Sequence, residues 1–262
     1  MSGTAVTPLF VPGNRPERFA KAAAAGADAV IIDLEDAVAP EEKEAARRAA
    51  AGVALEGIEV LVRINAAGTP WHAEDLAALA SARIAGIILP KAEDPATLAA
   101  IRAALGDGRA VIALVESARG IAAARELARG AARLAFGSID FAADLGCAHT
   151  RNALLIARLE LVLASRLAGI AAPIDGVTAT INDDTLTEAD ARHAAELGFG
   201  GKLCIHPRQV APALRGFAPD AEEVEWARKV IAAGGEGAVA VGGMMIDAPV
   251  RIRAERILSR AG

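Results

Sequence analysis

Short apolar runs recur along the chain at residues 6–11, 29–34, 60–64, 86–89, 111–115, 133–136, 173–177 and 203–205. Each has the length of a strand. The stretches between them are alanine-rich and amphipathic, at 15–25, 41–51, 71–82, 95–105 and 121–130, with a long helix at 152–167 and another at 187–197. Strands of this length alternating with helices predict parallel βαβ units, and eight of them predict a closed TIM (β/α)8 barrel. Thr187 and Asp190 suit the cap and first turn of the helix before the last strand. After His206 and Pro207 the pattern changes to a charged amphipathic helix at 220–233, a glycine-rich break at 234–243, a short run at 244–247 and a final helix to Arg260. The expected division is a barrel at 1–215 and a C-terminal helical extension at 216–262, which is a flexible end, a lid, or an arm packing on or reaching into a neighbouring subunit.

The polar residues that interrupt this pattern gather at one end of the strands. The stretch VIALVESARG, residues 111–120, runs apolar and then stops at Glu116, in phase with Ile112 and Leu114. A carboxylate at the tip of a buried strand costs several kcal/mol without a partner, so it calls for a cation. Asp33 and Glu35 share a face with Ile31, Arg63 with Leu61 and Asn65, and Lys91 with Ile87 and Leu89, while Asp140 follows strand six and His206 ends strand eight. A single charge at a strand end is often a solvated boundary, but its recurrence on six of eight strands at the end where barrel active sites lie points to a site.

Several of these positions have simpler readings. Asp36 and Asp144 suit helix caps or salt bridges. Lys91 is either a Schiff-base nucleophile or, preferred, half of an ion pair with a neighbouring carboxylate. His206 reads as a hydrogen-bonding strand-end residue, Cys204 as core packing, and His72, His149 and His193 as surface groups without metal spacing. Glu116 and Asp140 together suggest a hard divalent ion, Mg²⁺, completed by waters and a chelating substrate. Clustered Cys and His are absent, which disfavours zinc. Arg63 then lies where it can grip a carboxylate or a developing oxyanion. The loop after strand one offers Arg15, Arg18 and Lys21 beside a helix start at Pro16, a weak phosphate-binding signal.

The totals narrow the classes. At 262 residues one large barrel domain is possible; 53% hydrophobic content with no Tyr makes a small-residue, helix-rich core. A net charge of −5 with dispersed basic residues excludes a nucleic-acid surface. The two cysteines are far apart, so a disulfide framework is not expected. No apolar run reaches a membrane span and the N-terminus lacks a signal-peptide pattern, so the expectation is a cytoplasmic protein without membrane contact.

The order of LFVPGNRPERFAKA, VIIDLEDAV, LVRIN, LPKAED, ALVESARG, FGSIDFAADLG and CIHPRQV resembles the citrate lyase β-subunit-like (CitE-like) branch of the HpcH/HpaI aldolase superfamily, over nearly the whole chain. The resemblance implies a TIM barrel, a Mg²⁺ cofactor and lyase chemistry on acyl-CoA thioesters. It implies that Glu116 and Asp140 bind the metal and that Arg63 contacts substrate. The tail GGMMIDAPVRIRAERIL is similar to a family segment whose Asp, here Asp247, reaches an adjacent subunit's active site and exchanges the proton of the acetyl-CoA enolate. Glu35 is expected to order a metal-bound water or support the ligands. The first loop, with Arg15 and Lys21, is similar to the region holding the CoA phosphates. A homo-oligomer, trimer or hexamer, is implied. The leading activity is cleavage of citramalyl-, malyl- or citryl-CoA to acetyl-CoA and a 2-oxo acid. Its competitors are a malyl-CoA thioesterase, a 2-oxo-acid aldolase, and a citrate lyase subunit active only with an acyl-carrier partner.

Overall fold

The computed structural model describes residues 4–106, 108–233, 239–241 and 244–261. Eight parallel strands follow one another in chain order around a sheet. They are β1 (Leu9–Pro12), β2 (Ala29–Asp33), β3 (Glu59–Arg63), β4 (Gly86–Leu89), β5 (Ala110–Val115), β6 (Arg133–Phe136), β7 (Ile174–Asp175) and β8 (Gly201–Lys202). The sheet closes where Leu9 bridges Cys204 in parallel, with Phe10 N donating to Cys204 O at 2.8 Å and Cys204 N to Pro8 O at 2.9 Å. The expected TIM barrel is therefore present.

Outside the strands lie α1 (Phe19–Ala23), α2 (Lys43–Ala51), α3 (His72–Leu79), α4 (Pro95–Leu105), α5 (Ala118–Ala122), α6 (Ala124–Gly130), α7 (Ser138–Leu145), α8 (Leu155–Ala168), α9 (Asp184–Leu197) and α10 (Val210–Phe217). The β-branched run of β2 shows how the layers form. Val30 and Ile32 pack outward against helices, while Ala29 and Ile31 face a second, interior cluster with Leu61, Ile88, Ile112, Leu114 and Ile174. That alternation decides which residues beyond each strand enter the barrel mouth.

Several local expectations change. The run at 121–130 is broken, with α5 starting at Ala118 on its Ser117 cap and α6 following. The helix before β8 starts earlier than expected: Asp183, not Thr187, is its cap, accepting from Leu186 N at 2.8 Å. Thr187 is buried inside that helix, and Asp190 pairs with Arg151 instead. Strand eight is centred on Gly201 and Lys202 rather than on 203–205. A Cβ at Gly201 would lie 2.7 Å from the carbonyl oxygens of Ala5 and Val6, so glycine is required by the close approach to the chain entering β1.

Beyond α10 come α11 (Ala221–Ala232), β9 (Val239–Val241), β10 (Met244–Ile246) and α12 (Ala248–Arg260). Part of the expected glycine-rich break is thus a strand, with Val241 opposite Met244 in an antiparallel pair. Ala227, Val230, Ile246, Ala254 and Ile257 form a core of their own, separate from the barrel's. A capping box of Asp220 and Glu223 starts α11. The boundary expected after residue 215 lies inside α10, which packs on α9. Among the described residues no helix is long and apolar enough to cross a membrane.

Candidate metal and substrate site

A cavity of about 430 Å³ opens at the carboxyl ends of the strands, lined among others by Asp33, Arg63, Glu116 and Asp140. Strand phase delivers the first three of these. Ile31, Leu61 and Leu114 point into the barrel, so Asp33, Arg63 and Glu116, two residues further on, point into its mouth. Asp140 arrives differently. The expected loop after strand six is the start of α7, and Asp140 sits exposed in its first turn.

Arg63 is locked by its neighbours. Its Nε and Nη2 each donate to Asp33 at 2.7 Å, and its Nη1 lies 3.1 Å from Glu35 and 3.4 Å from Asp36. Asp33 is itself fixed by accepting from Glu35 N at 2.9 Å and Ala37 N at 3.1 Å. The Phe10 ring lies 5.0 Å beneath the guanidinium. Burial alone would lower the Arg63 pKa, but Asp33, Glu35 and Asp36 outweigh it and hold the group above the ordinary arginine value. The bidentate grip on Asp33 leaves the guanidinium fully charged at the cavity wall.

Glu116 is 4% exposed and accepts from Lys91 N at 2.7 Å. Burial first, and then the nearby charge of Glu35, push its carboxyl up to about 8. On its other side Gly137 is so close that any Cβ there would overlap the Glu116 side chain. Glu35 is also buried; burial raises its pKa, with Arg63 and Lys91 acting in the opposite direction. Its Oε1 lies 3.0 Å from Lys91 Nζ, while its Oε2 is buried without a hydrogen bond.

The donor set fits Mg²⁺. It offers hard carboxylate oxygens, one of them desolvated, facing a cavity large enough for waters and a small oxygen-bearing ligand. Among the described residues no three His, Cys, Asp or Glu side chains form a ready cage. Arg63, Glu116 and Asp140 are therefore brought together, and Glu35 stands beside them. Arg15 and Lys21 lie outside this cavity; Arg15 is exposed and bound to Glu17 at 2.7 Å. Asp247 also lies outside it, capping α12 by accepting from Val250 N at 3.2 Å.

Lys91 forms the expected ion pair. It does so by an unexpected route. On β4, Ile87 and Leu89 point outward and Ile88 inward, so regular phase would carry Lys91 away from the barrel interior. Lys91 instead adopts φ 49°, the sole positive φ outside glycine among the described residues, and turns back over the mouth. Asp144 accepts from Ala118 N at 2.7 Å, and Asp36 reaches Arg63, as a cap and an ion pair. His206 caps a short turn, with Arg208 N donating to its Nδ1 at 3.2 Å. Cys204 is buried. His149 is exposed, but its Nε2 lies 3.0 Å from Ser138 Oγ; His72 and His193 are half-buried rather than surface groups.

Sequence reading missed a second polar cluster at the ends of β7 and β8. Asp175 accepts from Arg158 Nε at 2.8 Å and lies 3.5 Å from Lys202 Nζ, with all three nearly buried. Lys202 also donates to Gly176 O, and Gly176 presses against Ser138 at the start of α7. The runs 173–177 and 203–205 marked the two strands, but Asp175 is a single acid inside the first run and Lys202 falls just before the second, so neither was singled out.

Comparison with known proteins adds the lineage. A profile of the HpcH/HpaI aldolase/citrate lyase family matches residues 7–207. A citrate lyase subunit beta-like protein of Mycobacterium tuberculosis (strain ATCC 25618 / H37Rv) is 42% identical over 265 residues, covering 97% of this chain and 94% of that one. An L-malyl-CoA/beta-methylmalyl-CoA lyase of Cereibacter sphaeroides (strain ATCC 17025 / ATH 2.4.3) is 36% identical, covering 97% and 93%. The crystal structure of the M. tuberculosis protein CitE in complex with magnesium, acetoacetate and coenzyme A superposes with a TM-score of 0.90 at 40% identity, covering 99% of each chain.

Proposed function

Because the chain belongs to the HpcH/HpaI aldolase/citrate lyase family, we propose that it is a Mg²⁺-dependent carbon–carbon lyase acting on a 3-hydroxyacyl-CoA thioester. The substrates are citramalyl-, malyl- or citryl-CoA, and the products acetyl-CoA and a 2-oxo acid. One observation carries the reading: Arg63 and Glu116 at two strand ends and Asp140 in the first turn of α7 line one cavity of about 430 Å³. The M. tuberculosis relative crystallised with magnesium, acetoacetate and coenzyme A supports both the ion and the ligand class.

Glu116 and Asp140 hold the metal. Bound there, Mg²⁺ lowers the pKa of the substrate hydroxyl and offsets charge on the oxo-acid oxygens. Arg63, fixed by Asp33, balances negative charge on the same oxygens without having to reorganise. As the hydroxyl passes its proton to solvent water, the carbonyl of the 2-oxo acid forms, the carbon–carbon bond breaks, and its electron pair passes into the acetyl-CoA enolate. Asp247 of a neighbouring subunit protonates the enolate carbon, and takes that proton back in condensation. Asp247 is not among the residues lining its own chain's cavity, which supports this supply across an interface, in a trimer or hexamer. Arg15 and Lys21, exposed after β1, meet the CoA phosphates.

Purified protein with Mg²⁺ is expected to release acetyl-CoA and a 2-oxo acid in equal amounts from at least one of the three thioesters. Glu116→Ala is expected to abolish this while leaving circular dichroism unchanged. Free CoA without 2-oxo acid would identify a thioesterase, and pyruvate with an aldehyde from free hydroxy-oxo acids an aldolase. Activity that appears only with an acyl-carrier protein would identify a complex subunit.

A further inference from the structure

Asp33, Asp36, Glu116 and Asp140 line the cavity and Glu35 stands beside them on Arg63, yet among the described residues no three of them converge as one ligand set. Glu35 is the exception to explain. Its side chain is 7% exposed, and its charge is close enough to be the second-largest influence on Glu116. Its Oε2 makes no hydrogen bond and only the ion pair with Arg63, and a buried carboxylate so placed is a ready ligand for a nearby metal ion. What restrains it is a pair of cations on opposite oxygens: Lys91 Nζ at 3.0 Å from Oε1 and Arg63 Nη1 at 3.1 Å from Oε2.

Lys91 spends conformational energy to be there. A non-glycine residue at φ 49° is uncommon, and such strain persists where surrounding contacts enforce it. The turn accomplishes two things at once. It aims the Lys91 backbone N–H at Glu116 Oε1, 2.7 Å away, and brings the ammonium back to Glu35. One residue thus fixes the carboxylate that binds and the carboxylate that does not.

We propose that Lys91 is a positioning residue that holds Glu35 out of the metal's coordination, so that Glu116 and Asp140 are the sole protein ligands and positions stay free for substrate oxygens. This rests on the metal centre assigned above. Without the ammonium, Glu35 becomes a third carboxylate ligand. Binding of the bare ion then tightens while turnover falls, a pairing of effects that general loosening of the site does not produce.

The test uses the full chain with Mn²⁺ as the probe, free ion being measured by electron paramagnetic resonance, alongside lyase turnover. Lys91→Met keeps the backbone donor and the side-chain bulk. It is expected to bind Mn²⁺ about 10-fold more tightly and to turn over roughly 10- to 100-fold more slowly, the scale on which residues behind metal ligands act. Lys91→Arg keeps the charge and is expected to behave as wild type in both. Adding Glu35→Gln to Lys91→Met is expected to return Mn²⁺ affinity to the wild-type value. Glu116→Ala separates the two claims. If it binds Mn²⁺ as wild type does, the metal assignment falls and this inference with it. If it loses Mn²⁺ while Lys91→Met binds the ion unchanged or more weakly, the role of Lys91 alone is overturned.

Discussion

Gly137 leaves no room for a side chain beside Glu116. A Cβ there overlaps the Glu116 Cβ and carboxylate, and the backbone is tied on both sides, its N–H donating to Val115 O at 2.9 Å and its carbonyl accepting from Phe141 N at 3.0 Å. Gly137→Ala is therefore expected to displace the Glu116 carboxylate and weaken Mn²⁺ binding about 10-fold or more, with the fold retained; titration beside wild type checks it. At this scale strand phase made much of the candidate site legible. Leu61 announced Arg63, and Leu114 announced Glu116, because alternation is fixed by backbone geometry. The same rule misplaces Lys91, since one left-handed residue reverses the phase and nothing in LPKAED signals it. Nor does spacing show that Asp33, rather than a ligand, takes the Arg63 fork.

Elements differ in how openly they declare themselves. Strands β2 to β6 nearly coincide with their apolar runs, whereas the run 173–177 shrinks to the two residues of β7, β8 sits just before the run 203–205, and the two strands carry a buried carboxylate and a buried ammonium. They became strands because parallel neighbours complete their ladders, which is a tertiary cause. The start of α7 was hidden for a related reason: FGSIDF continues the apolar run of β6 into a helix without a capping side chain. The cluster at these ends has a testable energy. Asp175→Ala would strand Arg158 and Lys202 as buried cations, one of them already holding an unbonded Nη1. Loss of about 3–5 kcal/mol is expected, as for other buried pairs broken on one side. Denaturant unfolding measures it, and a change below about 1 kcal/mol, the scale of exposed pairs, would show the cluster to be solvated.

For the whole molecule, the barrel was legible because its repeating unit recurs eight times, and each repeat reinforces the others. The tail was legible as an extra piece but not as a unit with its own core and hairpin, since glycine-rich segments carry little strand signal. Placement of Asp247 across an interface gives a clear expectation. Asp247→Ala and Glu116→Ala proteins, each inactive, are mixed, dissociated and reassembled. Hybrids that pair an intact metal site with an intact Asp247 should regain a measurable fraction of wild-type turnover, and absence of recovery would place Asp247 in its own chain's chemistry.

The seam between β1 and β8 has a consequence for synthesis. Leu9 meets Cys204 only after some two hundred residues have been made, so the first strand waits through most of translation with one flank of its hydrogen-bonding groups uncommitted. A nascent chain of this design is a sticky-edged ribbon until its final turn arrives. Shielding that edge during growth is thus a demand that the order of the strands places on synthesis.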